Sequence, residues 1–271
     1  MGKLSENHRQ AYDELQKHST KNTSRIELIR LISEKFSISE STVKKWVYGT
    51  AKPWGRNGEI VKNKHLAYVI GALLGDGCLY KPKQHLNYVI LCGSKEFSKK
   101  FATQLNKCND VRAKAYPNRR QNIWFVKVNN YQLFTFFEHA RKDVSNLLKL
   151  LETKNNGISF IEGFFDAEGC VKIVGKKRRK TPKICLDICN TDKRYLDLTK
   201  KLFEEHLKIT THYSNQDAYK TANGYPRKKA YHLRIYKKSA VRDFFKNIHT
   251  TKLKDGKEKY LEAWLNNGLG S

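Results

Sequence analysis

Two short stretches place acids where an apolar run would be expected to continue. Residues 69–77 read VIGALLGDG and residues 160–169 read FIEGFFDAEG. Each is a helix-compatible run ending in a carboxylate followed by glycine, Asp76-Gly77 in the first and Glu168-Gly169 in the second. Gly71 and Gly75 stand four residues apart, as do Gly163 and Ala167, so each pair shares one helical face. Small residues at that spacing let two helices approach more closely than the usual ~8–10 Å. Paired in this way, the helices would deliver Asp76 and Glu168 to one edge, and the following glycines would suit a chain reversal. A carboxylate at a helix C-terminus opposes the helix dipole, and two side by side repel. One resolution is a divalent cation between them. Hard oxygen ligands suit Mg²⁺, which also gathers phosphate oxygens and water. A metal so placed acidifies an attacking water and stabilises the leaving oxygen of a phosphodiester. Gly75 and Ala167, which immediately precede the acids, join Asp76 and Glu168 in the candidate metal site.

The elements that must position these acids occur twice. Asp76-Gly77-Cys78 recurs as Glu168-Gly169-Cys170, VILCGSKE (89–96) as LDICNTDK (186–193), and WFVKVNNYQLFTFF (124–137) as HLRIYKKSAVRDFF (232–245). A repeat this long is a duplicated domain, not a solenoid unit. Alternating segments such as HLNYVILCG and PKICLDICN predict strands, whereas YQLFTFFEHA and SAVRDFFKNI carry apolar residues at helical spacing. The resulting fold class is α+β: two pseudo-symmetric αββαββα repeats, residues 64–152 and 153–271, each with helices on one sheet face and the other face free.

Residues 1–50 read as a separate all-α unit. SRIELIRLISEKF (24–36) and STVKKWVYG (41–49) flank the turn Ser37-Ile38-Ser39. Ile26, Ile29 and Leu28 or Ile32 recur at helical spacing, and Ser39 or Ser41 can cap the second helix. Val43 and Trp46 point inward there, leaving Thr42, Lys44 and Lys45 outward. This is the pattern of a helix-turn-helix whose second helix enters the major groove. Residues 51–63, with Gly, Pro and polar side chains, read as a linker.

The 53 Lys and Arg outnumber 26 Asp and Glu for a net charge of +27, which points to a polyanionic partner, nucleic acid above all. The 13 Phe, 14 Tyr and 4 Trp supply cores and exclude full disorder. Nowhere do about 18 apolar residues run together, and MGKLSENHRQ lacks the apolar stretch of a signal peptide. No membrane association is expected, and the location expected is intracellular: cytoplasmic and nucleoid-associated in a prokaryote, or an organelle. The six cysteines show no CxxC spacing, which disfavours zinc and fits a reduced compartment. GxSxG, Walker A and HExxH are absent, which removes several other hydrolase classes.

The two acidic motifs and their matching downstream strands resemble the paired motifs of the LAGLIDADG homing endonucleases, in the single-chain, two-repeat form, over roughly residues 64–268. The resemblance implies a monomer whose two four-stranded sheets form a saddle in the major groove of a double-stranded DNA target. It implies cleavage of both strands across the intervening minor groove to leave short 3′ overhangs. Mg²⁺ is the implied cofactor, with Mn²⁺ able to substitute and Ca²⁺ supporting binding without cleavage. The metal-binding acids fall on Asp76 and Glu168. Asp166 occupies the motif's earlier acidic position, which is Leu74 in the first copy, and is read as structural or peripheral. Asn190 falls where the family often carries Gln or Asn, while the matching Gly93 departs from that pattern. The first-copy site is therefore less furnished, and the two strands are expected to be cut at different rates. TKLKDGKEKYLEAW (251–264) resembles the segment that supplies a catalytic lysine. Lys254 is the first candidate and Lys257 the second, with Lys149 or Lys154 as first-copy equivalents and Lys172 a further possibility.

On such a saddle, outward strand residues touch DNA, with Arg and Lys suited to guanine edges. The candidates are Lys114, Arg119, Arg120, Lys127, Lys172, Lys183, Arg227, Arg234, Lys237 and Lys238, with Asn118 and Gln216 as additional base contacts. GKKRRK (175–180) reads as a phosphate-tracking loop. Cys78 and Cys170 are expected to fill space near the helix ends. The alternative function is a non-cleaving nucleic-acid binder of the same fold, an RNA maturase or a transcription regulator. The presence of both motif acids favours cleavage.

Overall fold

The computed structural model describes residues 6–18, 24–51, 59–83, 86–109, 111–119, 121–175, 183–221, 223–254 and 256–266. Three helices open the chain: α1 (Glu6–His18), α2 (Arg25–Phe36) and α3 (Glu40–Val47). A capping box fixes the start of α2, with Ser24 and Glu27 each accepting from the other's backbone N–H. Ala11, Leu15, Leu28, Ile32, Ile38, Val43 and Trp46 form the core of this bundle, separate from the main one. Ile26 is exposed and lies outside it. Ser39 caps α3 by position only, its hydroxyl turned to Ser41 and Thr42.

The first repeat runs α4 (Lys64–Asp76), β1 (Gly77–Lys83), β2 (Leu86–Gly93), α5 (Lys95–Cys108), β3 (Tyr116–Asn118), β4 (Ile123–Asn129) and α6 (Tyr131–Lys142). A 3₁₀ turn (Val144–Leu147) and the single-turn α7 (Leu148–Leu151) lead into the second repeat. That repeat runs α8 (Lys154–Glu168), β5 (Gly169–Val174), β6 (Lys183–Asn190), α9 (Lys193–Leu202), β7 (His212–Gln216), β8 (Tyr219–Lys220), β9 (Pro226–Arg227), β10 (Ala230–Ile235) and α10 (Lys238–Asn247). Helix α11 (Lys257–Asn266) follows. The sheets have matching antiparallel orders, β1-β2-β4-β3 and β5-β6-β10-β7, while β8 and β9 form a separate small hairpin. This is the expected α+β duplication. The last residues of the presumed linker are docked, however: Val61 donates to the Cys108 carbonyl, and Ile60 donates to Gln132.

Helix α4 is buried at every position from Leu66 to Leu74, as is expected of a helix enclosed on all sides. Its partner α8 buries Phe160, Ile161, Phe164 and Phe165, and one apolar cluster runs continuously through both repeats. The contact between the two helices is reciprocal. A Cβ added to Gly71 would lie 2.3 Å from the Phe160 carbonyl oxygen, and one added to Gly163 would lie 2.1 Å from that of Tyr68. A Cβ on Gly75 would meet that of Ala167 at 2.4 Å. Backbone therefore packs on backbone along a pseudo-twofold seam, which only glycine permits at these positions.

Two sequence expectations need correction. The glycines after the acids do not reverse the chain: Gly77 (φ −85°) and Gly169 (φ −78°) are extended and start β1 and β5 directly. Glycine is required there because an added Cβ would strike the Leu73 or Phe165 carbonyl oxygen, at 2.3 and 2.4 Å. The repeat alignment along β4 and β10 also slips by one residue. Cys92 pairs with Phe125 and Cys189 with His232, so Phe125 matches His232 and Lys127 matches Arg234. A slip of one would have exchanged the two faces of the strand.

Candidate active site

Helices α4 and α8 end side by side at Asp76 and Glu168, and the Cβ that Gly75 lacks would touch Glu168 Cγ at 2.9 Å. Burial first, and the charge of Asp76 second, push the Glu168 carboxyl up to about 7. The Asn190 amide, donating to Glu168 Oε1 at 2.9 Å, and the charge of Lys252 oppose that rise. Asn190 is itself oriented by the Asp192 N–H, which donates to its Oδ1 at 2.7 Å. Asp76 is also raised, by burial and against Lys252, although its residue surface stays open to water. Among the described residues no side chain hydrogen-bonds to Asp76. At the place of Asn190 the first repeat has Gly93, where a Cβ would meet the Phe97 ring at 2.6 Å.

The lysine at this centre is Lys252. Its Nζ donates to the Ala167 carbonyl at 2.9 Å, and its charge acts on both acids. Lys254, two residues further on, lies exposed with its Nζ 3.9 Å from Glu96. Lys257 begins α11. Asp166 is fully buried and not peripheral: it binds Tyr68, Lys100, Thr250 and Thr251. The Leu74 that replaces it in the first repeat borders an open cleft of about 490 Å³. Gly75, Arg141, Glu168, Asn190 and Tyr195 also line that cleft.

The outer sheet faces hold several of the candidate DNA contacts. Strand alternation puts Tyr80, Tyr88, Ile90, Phe125 and Lys127 outward on the first sheet. On the second it puts Lys172, Lys183, Asp187, His232 and Arg234 outward. Lys172 and Arg234 both bind Asp187, the latter through Nε at 3.0 Å, and His232 Nδ1 lies 3.1 Å from the same carboxylate. Burial pushes the Asp187 carboxyl up, but these three cationic or potentially cationic partners outweigh it and hold it below the usual range. Sequence reasoning missed Asp187 because its partners come from two other strands, β5 and β10. Lys114, Arg119 and Lys237 are exposed near strand ends, and Arg227 sits on the small hairpin β8–β9. Lys238 instead packs over the Trp264 ring, 5.8 Å from its centroid, in helix α10. In the N-terminal bundle Lys44 and Lys45 are exposed, while Thr42 is half-buried. Arg120 and residues 176–180 of the basic loop lie outside the described residues. Cys78 is exposed and Cys170 half-buried on the outer faces, so neither fills the interior.

Residues 157–249 match the model of the LAGLIDADG-like domain family. Among solved structures, the homing endonuclease I-DmoI in complex with DNA and Ca has a TM-score of 0.49 at 19% identity, over 74% of this chain and 98% of that one. The N-terminal LAGLIDADG domain of DUF199/WhiA has a TM-score of 0.46 at 12% identity, over 74% and 88%. The uncharacterized protein MJ0314 of Methanocaldococcus jannaschii is 28% identical over 153 residues, 53% of this chain and 54% of that protein, so the match spans about half of its length.

Proposed function

With residues 157–249 taken as the LAGLIDADG-like domain that they match, we propose that the protein is a site-specific, metal-dependent double-strand DNA endonuclease, acting as a monomer. The observation that carries this reading is the juxtaposition of Asp76 and Glu168 at the ends of two helices pressed together, with Glu168 raised to about 7. Two adjoining carboxylates under mutual repulsion form a site in need of a cation. Their hard oxygens fit Mg²⁺, with Mn²⁺ as a substitute and Ca²⁺ as a ligand for binding without cleavage. Among the described residues no group of three His, Cys, Asp or Glu converges, so phosphate and water oxygens would have to complete the shell of a bound metal. When bound, such a metal polarises the phosphodiester and acidifies water.

The chain's own residues have distinct tasks. Asp76 and Glu168 would hold the cation, Asn190 fixes the orientation of the Glu168 carboxylate, and Lys252 would bring a positive charge to the phosphate. Gly75 and Ala167 shape the floor, the Ala167 carbonyl already accepting from Lys252. The outer sheet faces supply the groove contacts, with the net charge of +27 drawing the DNA in. Lys44 and Lys45 of the N-terminal bundle add phosphate or base contacts.

The test is incubation with a pooled duplex library and Mg²⁺, followed by sequencing of the cut ends. Cuts at a defined sequence with short 3′ overhangs are expected. Selective retention of one sequence without any cut ends would instead establish a non-cleaving DNA binder. Removing residues 1–50 should weaken affinity without moving the cut.

A further inference from the structure

Asp166 has a far more elaborate environment than a packing residue needs. It is fully buried, and five donors converge on it. Its Oδ2 accepts from the Tyr68 hydroxyl at 2.8 Å and from Lys100 Nζ at 2.7 Å. Its Oδ1 accepts from Thr250 Oγ1 at 2.7 Å, from the Thr251 N–H at 2.6 Å and from Thr251 Oγ1 at 3.1 Å. The clamp extends outward, because Lys100 also pairs with Glu162 at 2.8 Å and the His249 N–H donates to that same Glu162 at 3.2 Å. The segment 249–251 is therefore fastened to helix α8 at three consecutive residues. Immediately beyond it stands Lys252. Its backbone N–H donates to Thr250 Oγ1 at 3.0 Å, and its Nζ reaches the Ala167 carbonyl.

Resting on the nuclease reading, we infer that Asp166 is a positioning residue that acts through Lys252. It holds the 249–252 turn against the end of α8, so that the ammonium stays at the Ala167 carbonyl, near the paired acids. Asp166 touches no reacting atom itself. Stability alone does not account for it: isolating a carboxylate from water is costly, and apolar groups of similar size often serve as well or better. The pseudo-equivalent position shows this within the same fold, where Leu74 occupies the same place on the seam and borders the open cleft. One flank of the paired acids is clamped and carries a lysine; the other is open.

The experiment combines Asp166→Leu, and the milder Thr250→Val, with Lys252→Met in a double-mutant cycle. Single-turnover cleavage with Mg²⁺, DNA affinity in Ca²⁺ and urea unfolding are measured for each protein. Asp166→Leu should slow cleavage by about 100-fold, as expected for a misplaced group in a reacting site, with Ca²⁺-supported affinity unchanged. In the Lys252→Met background it should leave the residual rate unchanged while shifting urea stability as before. Equal slowing in both backgrounds would reduce Asp166 to a structural residue and overturn the inference.

A second measurement needs no DNA. Lysines are reductively methylated with ¹³C, and the Lys252 signal is assigned by its loss in Lys252→Arg. That signal should move and sharpen towards a free lysine in both Asp166→Leu and Thr250→Val. An unmoved signal in both overturns the inference. A wild-type protein that cuts no DNA would defeat the nuclease reading, while the Lys252 signal would still report whether Asp166 holds the lysine.

Discussion

On the first sheet, Tyr80 and Tyr88 stack with ring centroids 6.4 Å apart, and Lys127 Nζ lies 4.0 Å from the centre of the Tyr88 ring. Strand register puts Lys172, Asp187 and Arg234 of the second sheet at the places of Tyr80, Ile90 and Lys127. The central position is thus an aliphatic side chain on one face and a buried carboxylate on the other. Different forces preorganise the two faces. Aromatic surface and a cation–π contact steady a single lysine on the first. On the second, the Asp187 carboxylate gathers Lys172, Arg234 and His232 around itself. The seam between the repeats obeys a twofold relation that the outer faces ignore. A frame of this kind suits a DNA target whose two halves differ in sequence.

The largest expected effect falls on the shared frame. Asp76→Asn and Glu168→Gln should each abolish double-strand cleavage, by about three orders of magnitude, while Ca²⁺-supported binding persists. Products resolved on a denaturing gel would show whether either variant retains a nick in one strand, which would separate the two sites. Next come Gly71→Ala and Gly163→Ala. Each forces a methyl onto a partner carbonyl, and each should destabilise the fold by about 3 kcal/mol in urea unfolding, with nearly equal values because the contacts are reciprocal. Clearly unequal values would break the twofold description of the seam.

The outer faces separate in a smaller range. Asp187→Asn should relax base preference in one half of the target and lower its affinity about tenfold. Lys127→Met should act on the other half only, at about 0.5–1 kcal/mol. Binding profiles against half-site libraries distinguish the two.

A separate effect is that of pH on the stability of the metal-free protein. The Glu168 carboxyl ionises above its ordinary value of 4.5 in the unfolded chain but only above about 7 in the fold. Stability should therefore fall as pH rises through that window, by about 1–2 kcal/mol after allowance for solvent screening. Glu168→Gln should remove the slope. Ca²⁺ binding, which needs the carboxylate ionised, should strengthen by about tenfold per pH unit across the same range.

The parts of this molecule legible in sequence are those set by short spacings. Gly71, Gly75, Gly163 and Ala167 declare one helical face each, and the acid ending each run is visible because a helix fixes its neighbours. Lys252 was not legible in this way. Its place depends on a turn folded back onto helix α8 by Asp166, 86 residues earlier in the chain (252 − 166), and without that fold the sequence favours Lys254. Asp187 was hidden for a related reason. Its partners Lys172, His232 and Arg234 come together only through the register of β5, β6 and β10. The glycines after the acids were read as turn formers because sequence shows a glycine but not whether torsion or crowding demands it.

The unbroken apolar cluster through α4 and α8 has a thermodynamic consequence. Neither repeat owns a complete interior: separating them would wet the flanks of two largely enclosed helices. Residues 59–266 should consequently melt in one calorimetric transition, with equal calorimetric and van't Hoff enthalpies, despite being built from two copies of one plan. The N-terminal bundle, with its own interior around Trp46, should contribute a separate and smaller endotherm.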